Sequence, residues 1–253
     1  MSEARLDLRD LSVSFDGLTV LDKLSLKLDS GELRFIIGPN GAGKTTLLDI
    51  ITGRTKPTSG SAHFEGRKLI GHQEHEIARM GIGRKFQTPT IFPSLTVWQN
   101  MEVVVGAKAS LFAALKKMPS EQTDSIRETL ELSGLGSRST TRAGILSHGE
   151  KQWLEIAMLL VQDSRLLLLD EPVAGMSRGE RERTADLFRR VLAAHPDRTL
   201  LIVEHDMAFV RQLASTVTVL HLGSVLSEGS LEDVQADPRV IDAYLGHNQH
   251  KAA

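Results

Sequence analysis

Apolar and polar residues alternate over residues 5 to 15 (Leu6, Leu8, Leu11, Val13, Phe15) and over 18 to 28 (Val20, Leu24, Leu26, Leu28), the period of half-buried strands. Asp16-Gly17 between them predicts a tight hairpin. Ser30-Gly31 marks a further turn, and the largely apolar run Leu33 to Ile37 predicts a buried strand. A helix opens at Gly43 and runs through Leu47, Leu48 and Ile51 to Gly53, after which Pro57 and Gly60 mark a loop. Between residues 95 and 161 the one strand-like run is Val103 to Val105. Elsewhere in that stretch apolar residues recur at spacings near three and four, as in Ile126, Leu130, Leu132 and Leu135, and predict helices. Leu166 to Leu169 and Leu200 to Val203 are short, fully apolar runs separated by a helix with Leu187, Val191 and Leu192, the pattern of parallel strands in an α/β core. Val217 to Leu220 and Val225-Leu226, split by Leu222-Gly223, predict a closing hairpin, followed by a short helix around Val240 to Leu245. The expected class is therefore α/β, with a mixed sheet core, an antiparallel β subdomain and an inserted helical subdomain. One domain is expected over 1–253, with its core and β subdomain in 1–90 and 162–253 and its helical part in 91–161.

Composition narrows this picture in three ways. A chain of 253 residues, 41% hydrophobic, can bury a large core without staples, and it has no cysteine, so disulfides and thiolate metal sites are excluded. A formal net charge of −2 gives no electrostatic footprint for nucleic acid or anionic lipid. The start Met-Ser-Glu-Ala-Arg-Leu-Asp lacks the apolar core of a secretory signal, and no segment approaches the roughly 20 apolar residues of a membrane span. A soluble chain is expected, and any membrane role would run through a partner.

The run Gly38-Pro39-Asn40-Gly41-Ala42-Gly43-Lys44-Thr45, with Thr46 behind it, joins the strand at Leu33–Ile37 to a helix. The pattern G-x-x-x-x-G-K-[ST] binds phosphate because glycines let the backbone fold tightly, so that several N–H groups and a helix N-terminus point at one set of oxygens. Lys44 would reach β- and γ-phosphates, and Thr45 would ligate Mg²⁺. Asp170 and Glu171 follow the apolar strand Leu166–Leu169 at the edge where α/β sheets place their ligands. Asp170 would hold Mg²⁺, and Glu171 would orient or deprotonate the water that attacks the γ-phosphate. His205, in Val203-Glu204-His205-Asp206, ends another such strand and could sense the γ-phosphate. Gln87 stands where the sheet part meets the helical part and could reach Mg²⁺ or the attacking water. Ser147, in Leu146-Ser147-His148-Gly149-Glu150, is a good N-cap for the apolar helix behind it, and Glu150 completes a capping box.

In this order the motifs resemble those of the ATP-binding cassette (ABC) ATPases over nearly the whole chain. The resemblance implies the family's P-loop fold and an ATPase that works with ATP and Mg²⁺. It implies that Phe15 stacks on adenine, that Gly38 to Thr46 bind phosphates, and that Gln87 is the Q-loop residue. Leu146 to Glu150 would be the signature, Asp170 and Glu171 the Walker B pair, and His205 the switch histidine. In such proteins two cassettes face head to tail, so that Ser147 and Gly149 would close on the γ-phosphate held by the other. Two motifs depart from the family: His148 and Glu150 stand in a signature that is usually Leu-Ser-Gly-Gly-Gln, and Ala174-Gly175-Met176-Ser177 stands where Ser-Ala-Leu-Asp is usual. These departures favour pairing with a second, sister cassette over a homodimer. The runs Leu146 to Ile156, Glu171 to Met176 and Asp237 to Gly246 are similar to importers for branched-chain amino acids and urea, the urea subunits most of all. The function implied is therefore an ATPase that energises a urea importer, with a branched-chain amino acid importer or a non-transport cassette acting on DNA or ribosomes as the alternatives. Membrane permease subunits, a periplasmic binding protein reached indirectly and a peripheral place on the cytoplasmic face of the inner membrane are implied with them.

Two smaller signals have ordinary explanations. His72 and His75 beside Glu74 and Glu76 could suggest a metal site, but two histidines on an amphipathic stretch are more often a solvated face. Ala107 to Met118, with Leu111, Phe112 and Leu115 beside three lysines, could lie on a membrane surface; packing within the helical part or against a partner is favoured.

Overall fold

The computed structural model describes residues 4–85, 91–106 and 119–249. Two sheets organise them. The first is antiparallel: β1 (Leu6–Phe15), β2 (Leu18–Leu28), β4 (Ser59–Phe64) and β5 (Arg67–Lys68) lie in the order β2-β1-β4-β5. The second contains β3 (Leu33–Ile37), β6 (Ile82–Lys85), β7 (Leu166–Asp170), β8 (Thr199–Val203), β9 (Thr216–His221) and β10 (Ser224–Gly229), in the order β10-β9-β3-β8-β7-β6. Its first five members by pairing are parallel, and β10 closes the edge as an antiparallel hairpin with β9. The hairpin turns Asp16-Gly17 and Leu222-Gly223 both place two residues at positive φ, the conformation that matches strand twist.

The alternation in β1 breaks between Leu8 and Leu11 because a bulge at Asp10 (φ 49°) inserts an extra residue, so the apolar face is kept in register across the break. Gly60, expected in a loop, lies instead within β4. A Cβ there would come within 2.4 Å of the Asp10 carbonyl oxygen, so the residue marks close approach of two strands at the same bulge. Val103 to Val105, expected as strand, belongs to helix α3 (Val97–Gly106), whose buried residues Val97, Asn100 and Met101 follow the helical period. A three-residue β-branched run was too short to decide between the periods.

The parallel strands are buried on both faces. On one face Ile36, Leu168 and Leu201 pack with helix α1 (Lys44–Ile51) and the antiparallel sheet. On the other Phe35, Leu167, Leu169 and Ile202 pack with α5 (His148–Leu160) and α6 (Arg178–Ala194). Between β6 and β7 the chain forms α3, α4 (Ser120–Leu132), two short 3₁₀ turns and α5. A short helix α2 (Glu74–Arg79) precedes β6, α7 (Met207–Leu213) follows β8, and α8 (Leu231–Ala236) and α9 (Pro238–Gln249) end the described chain. No helix among the described residues is long and apolar enough to cross a membrane.

Candidate nucleotide site

The loop between β3 and α1 carries positive φ at Gly38 (152°), Gly41 (82°) and Gly43 (97°), a succession that only glycine adopts cheaply and that turns backbone N–H groups inward. At Gly38 a side chain is excluded twice over, because a Cβ would meet the Leu220 carbonyl oxygen at 2.2 Å. Gly43 caps α1, and the hydroxyl-bearing residues Thr45 and Thr46 occupy its first turn, with Thr45 exposed at the mouth of the loop. Pro39, Asn40 and Ala42 complete the loop, Ala42 donating its N–H to the Pro39 carbonyl (3.2 Å). Lys44 folds back over it and donates to the carbonyls of Gly38 (2.7 Å) and Pro39 (2.9 Å). Burial pulls the Lys44 ammonium below its ordinary range, an effect that Glu171 and Asp170 oppose.

Asp170 ends β7 beside this loop and is only 2% exposed. Burial pushes its carboxyl above the usual carboxylate range, against the pull of Arg84, whose Nη2 lies 3.7 Å away. Glu171, the next residue, has φ 46°, and its N–H donates to the Val203 carbonyl (2.9 Å). That left-handed turn sends the two adjacent carboxylates in different directions, at a conformational cost of about 1 to 2 kcal/mol that the surrounding sheet holds in place. The Glu171 Oε1 lies 3.4 Å from Nδ1 of His205. Two carboxylates, an ammonium and an imidazole thus lie at the C-terminal ends of the neighbouring parallel strands β3, β8 and β7.

Glu204 holds His205 in position, and its role was not legible in the sequence. Its side chain is buried, and its carboxylate accepts from the backbone N–H groups of Val173 (3.2 Å), His205 (3.0 Å) and Asp206 (3.3 Å). Burial raises the pKa of this carboxyl, although those three donors favour the charged form. Asp206 then caps α7 by accepting from Phe209 N–H (3.0 Å) and pairs with Arg181. His205 is therefore fixed from both sides while its own ring remains exposed.

Ser147 caps α5, accepting from the Glu150 N–H, while the Glu150 carboxylate accepts from the Ser147 N–H (2.8 Å) and pairs with Arg138 (3.1 Å). Ser177 caps α6 in the same way with Glu180. The two departures from the family pattern meet here, because His148 Nε2 lies 3.0 Å from the Ala174 carbonyl oxygen. Gly149 packs so closely that a Cβ would meet the Glu180 carboxylate at 2.4 Å. Ser147 and His148 are exposed. Phe15, at the end of β1, is 49% exposed. Gln87 and the segment Ala107 to Met118 lie outside the described residues. Among the described residues no group of three or more metal-ligating side chains is assembled, and His72 instead faces Glu76 at 3.4 Å beside the capping box of α2.

Comparison with known proteins gives this arrangement a family. The family model described as ABC transporter matches residues 21–174, and one described as branched-chain amino acid ATP-binding cassette transporter matches residues 224–250. The high-affinity branched-chain amino acid transport ATP-binding protein LivG of Salmonella typhimurium is 37% identical over 254 residues, an alignment that covers 97% of this chain and 99% of that protein. The ADP conformation of MJ1267, an ATP-binding cassette of an ABC transporter, superposes with a TM-score of 0.85 at 27% identity, covering 97% of this chain and 100% of that one. The dimeric post-hydrolysis state of the cassette MJ0796, bound to ADP and Pi, gives a TM-score of 0.74 at 25% identity, covering 89% and 98%. The mixed sheet, antiparallel sheet and packed helices are thus the cassette fold that the motifs led us to expect. The chain belongs to the ABC transporter family, as one of its ATP-hydrolysing cassette subunits.

Proposed function

We propose that this chain is the ATP-binding subunit of an importer for branched-chain amino acids, in which ATP draws two cassettes together and hydrolysis releases them. One observation carries the proposal: Lys44, Asp170, Glu171 and His205 meet at one sheet edge beside a glycine nest, with Glu171 and His205 3.4 Å apart. The N–H groups from Gly38 to Thr46 would hold phosphate oxygens, and Lys44 would exchange its two carbonyl partners for the β- and γ-phosphates. Phe15 would stack on adenine. Thr45 and Asp170, both hard oxygen donors, and Gln87 fit Mg²⁺; Asp170 is a buried carboxylate whose charge a divalent cation would stabilise. When bound, the ion would neutralise phosphate charge.

Glu171 takes a proton from the attacking water as its oxygen bonds to the γ-phosphorus, and the bond to the bridging oxygen of ADP breaks. His205 holds the γ-phosphate and keeps Glu171 oriented. Ser147 and Gly149 face the γ-phosphate of a partner cassette, so that each site is complete only in the pair. His148 and the 174–177 segment differ from the usual pattern on that same face, which favours a sister cassette as partner. Membrane permease subunits, with a periplasmic binding protein beyond them, would receive the movement through the helical part 91–161, and the chain would sit peripherally on the cytoplasmic face of the inner membrane. Branched-chain amino acids take precedence over urea as cargo because the LivG relatives match over nearly the whole chain and the C-terminal family match falls in 224–250. Urea is the second reading, favoured by the signature run from Leu146 to Ile156.

The test is twofold. Glu171→Gln should keep ATP while turnover falls at least about tenfold, the low end of what a general base supplies; equal turnover would remove Glu171 from the reaction. Cells lacking the chain should lose uptake of labelled leucine and regain it on complementation. Loss of urea uptake with leucine uptake intact would reverse the order of cargo.

A further inference from the structure

Strand β6 is a short edge strand, yet its last two residues carry charges that are buried on opposite faces of the sheet. Successive side chains of a strand point to opposite faces. Arg84, opposite Leu168, turns toward α1, where its Nη1 lies 2.5 Å from Asp49 Oδ1 and 3.3 Å from Thr52 Oγ1, while Nη2 lies 3.7 Å from Asp170. Lys85, opposite Leu169, turns toward α5, where Nζ lies 3.7 Å from Glu155 Oε2. The Lys85 side chain is 0% exposed and that of Glu155 4%. Asp170 and Glu204 also act on the Lys85 charge.

We propose that the pair Arg84-Lys85 is a two-faced electrostatic linkage that carries nucleotide occupancy from α1 and Asp170 to the signature helix α5. Neither residue touches the nucleotide; both are positioning residues, and the inference rests on the nucleotide site proposed above. Asp170 is near enough to attract both cations. Phosphate and its counter-charge arriving at Asp170 and at the N-terminus of α1 therefore shift the balance that holds β6. Lys85 is held by Glu155 on α5 and attracted also by Asp170 and Glu204, so a change of charge at Asp170 alters the pull between β6 and α5. Ser147, eight residues before Glu155 on a helix rising 1.5 Å per residue, lies about 12 Å along the axis, close enough for a small rotation to re-aim it. Lys85 also leads directly into residues 86–90, which contain Gln87.

A buried ion pair can be replaced by apolar residues of similar size without loss of stability, which separates this linkage from a structural contact. Amide exchange is measured on the full chain, at a concentration where sedimentation shows it monomeric so that closure on a partner's nucleotide does not contribute, with and without a non-hydrolysable ATP analogue and Mg²⁺. In the parent protein the analogue slows exchange in 39–51 and also, by at least about threefold, in 148–156, since a ligand that biases two coupled elements protects both. In the double variant Lys85→Met, Glu155→Leu the melting temperature is not lowered and 39–51 is still protected, but slowing in 148–156 falls below about 1.5-fold. Lys85→Gln with Glu155→Gln, neutral but hydrogen-bonding, gives the same result if the apolar pair does not fold, and Lys85→Arg retains the slowing. Undiminished slowing in 148–156 in a neutral pair overturns the linkage, as does its absence in the parent while 39–51 is protected. No protection of 39–51 in the parent removes the nucleotide site itself.

Discussion

Glu204→Ala probes how the exposed histidine of the site is held. The substitution removes the acceptor of three backbone N–H groups, on Val173, His205 and Asp206, at donor–acceptor distances of 3.2, 3.0 and 3.3 Å. The buried Val173 donor left without a partner costs about 1 to 3 kcal/mol, while the part-buried donors of His205 and Asp206 can turn to water, so the expected loss is about 1 to 3 kcal/mol. For a chain of this size 1 kcal/mol shifts the melting midpoint by about 2 to 4 °C, which places the expected drop at about 2 to 12 °C. Glu204→Gln retains one acceptor oxygen and should lose less. Thermal unfolding followed by circular dichroism reads the stability. In parallel, ATP turnover reads the displacement of His205, which should lower the rate in the variant still folded at assay temperature. A drop below about 2 °C, or unchanged turnover, would refute the claim that this carboxylate organises the segment.

Other substitutions separate space from strain and structure from function. Gly38→Ala places a Cβ 2.2 Å from the Leu220 carbonyl oxygen and should cost about 2 kcal/mol or more and weaken ATP binding. Gly41→Ala meets nothing within 4 Å and should cost only the left-handed backbone, about 1 kcal/mol, both variants being read by denaturant titration. Ser147→Ala loses the cap of α5 and about 1 kcal/mol; Ser147→Asp should keep that stability yet abolish ATP-dependent pairing, because its charge would face phosphate. The Glu204 carboxyl is raised in the folded protein, so the native state keeps its proton to higher pH than the unfolded chain. Its contribution to stability therefore falls as pH rises from the ordinary carboxylate range toward that raised value, and urea unfolding of the parent minus that of Glu204→Gln should show the fall.

The phosphate loop, the strand-end carboxylates and the capping box were legible because each rests on local chemistry: a glycine nest, an apolar run that ends in acid, a hydroxyl three residues before a glutamate. The strands β4 to β6 were not, for they are short and polar, and Gly60 reads as a breaker unless the bulge at Asp10 is already known. Val103 to Val105 shows the limit of β-branched runs, since tertiary packing of Val97 and Met101 fixes a helix there. Glu204, Arg84 and Lys85 were invisible as functional groups for a different reason. Charged residues beside apolar runs usually reach solvent, and only the sheet order, with β6 against β7 and β8 between β3 and β7, turns these three inward. The cargo lies further still from the residues, because the chemistry of this site concerns phosphate alone.

Calorimetric titration of ATP into the purified chain in the presence of Mg²⁺, with Lys44→Ala as the comparison, tests the nucleotide site most directly. Hydrogen bonds from a charged donor contribute about 1.5 to 3 kcal/mol, so binding should be saturable in the parent and weaker by at least about tenfold in the variant. Equal affinity in the two proteins, or no binding to the parent, would contradict the account.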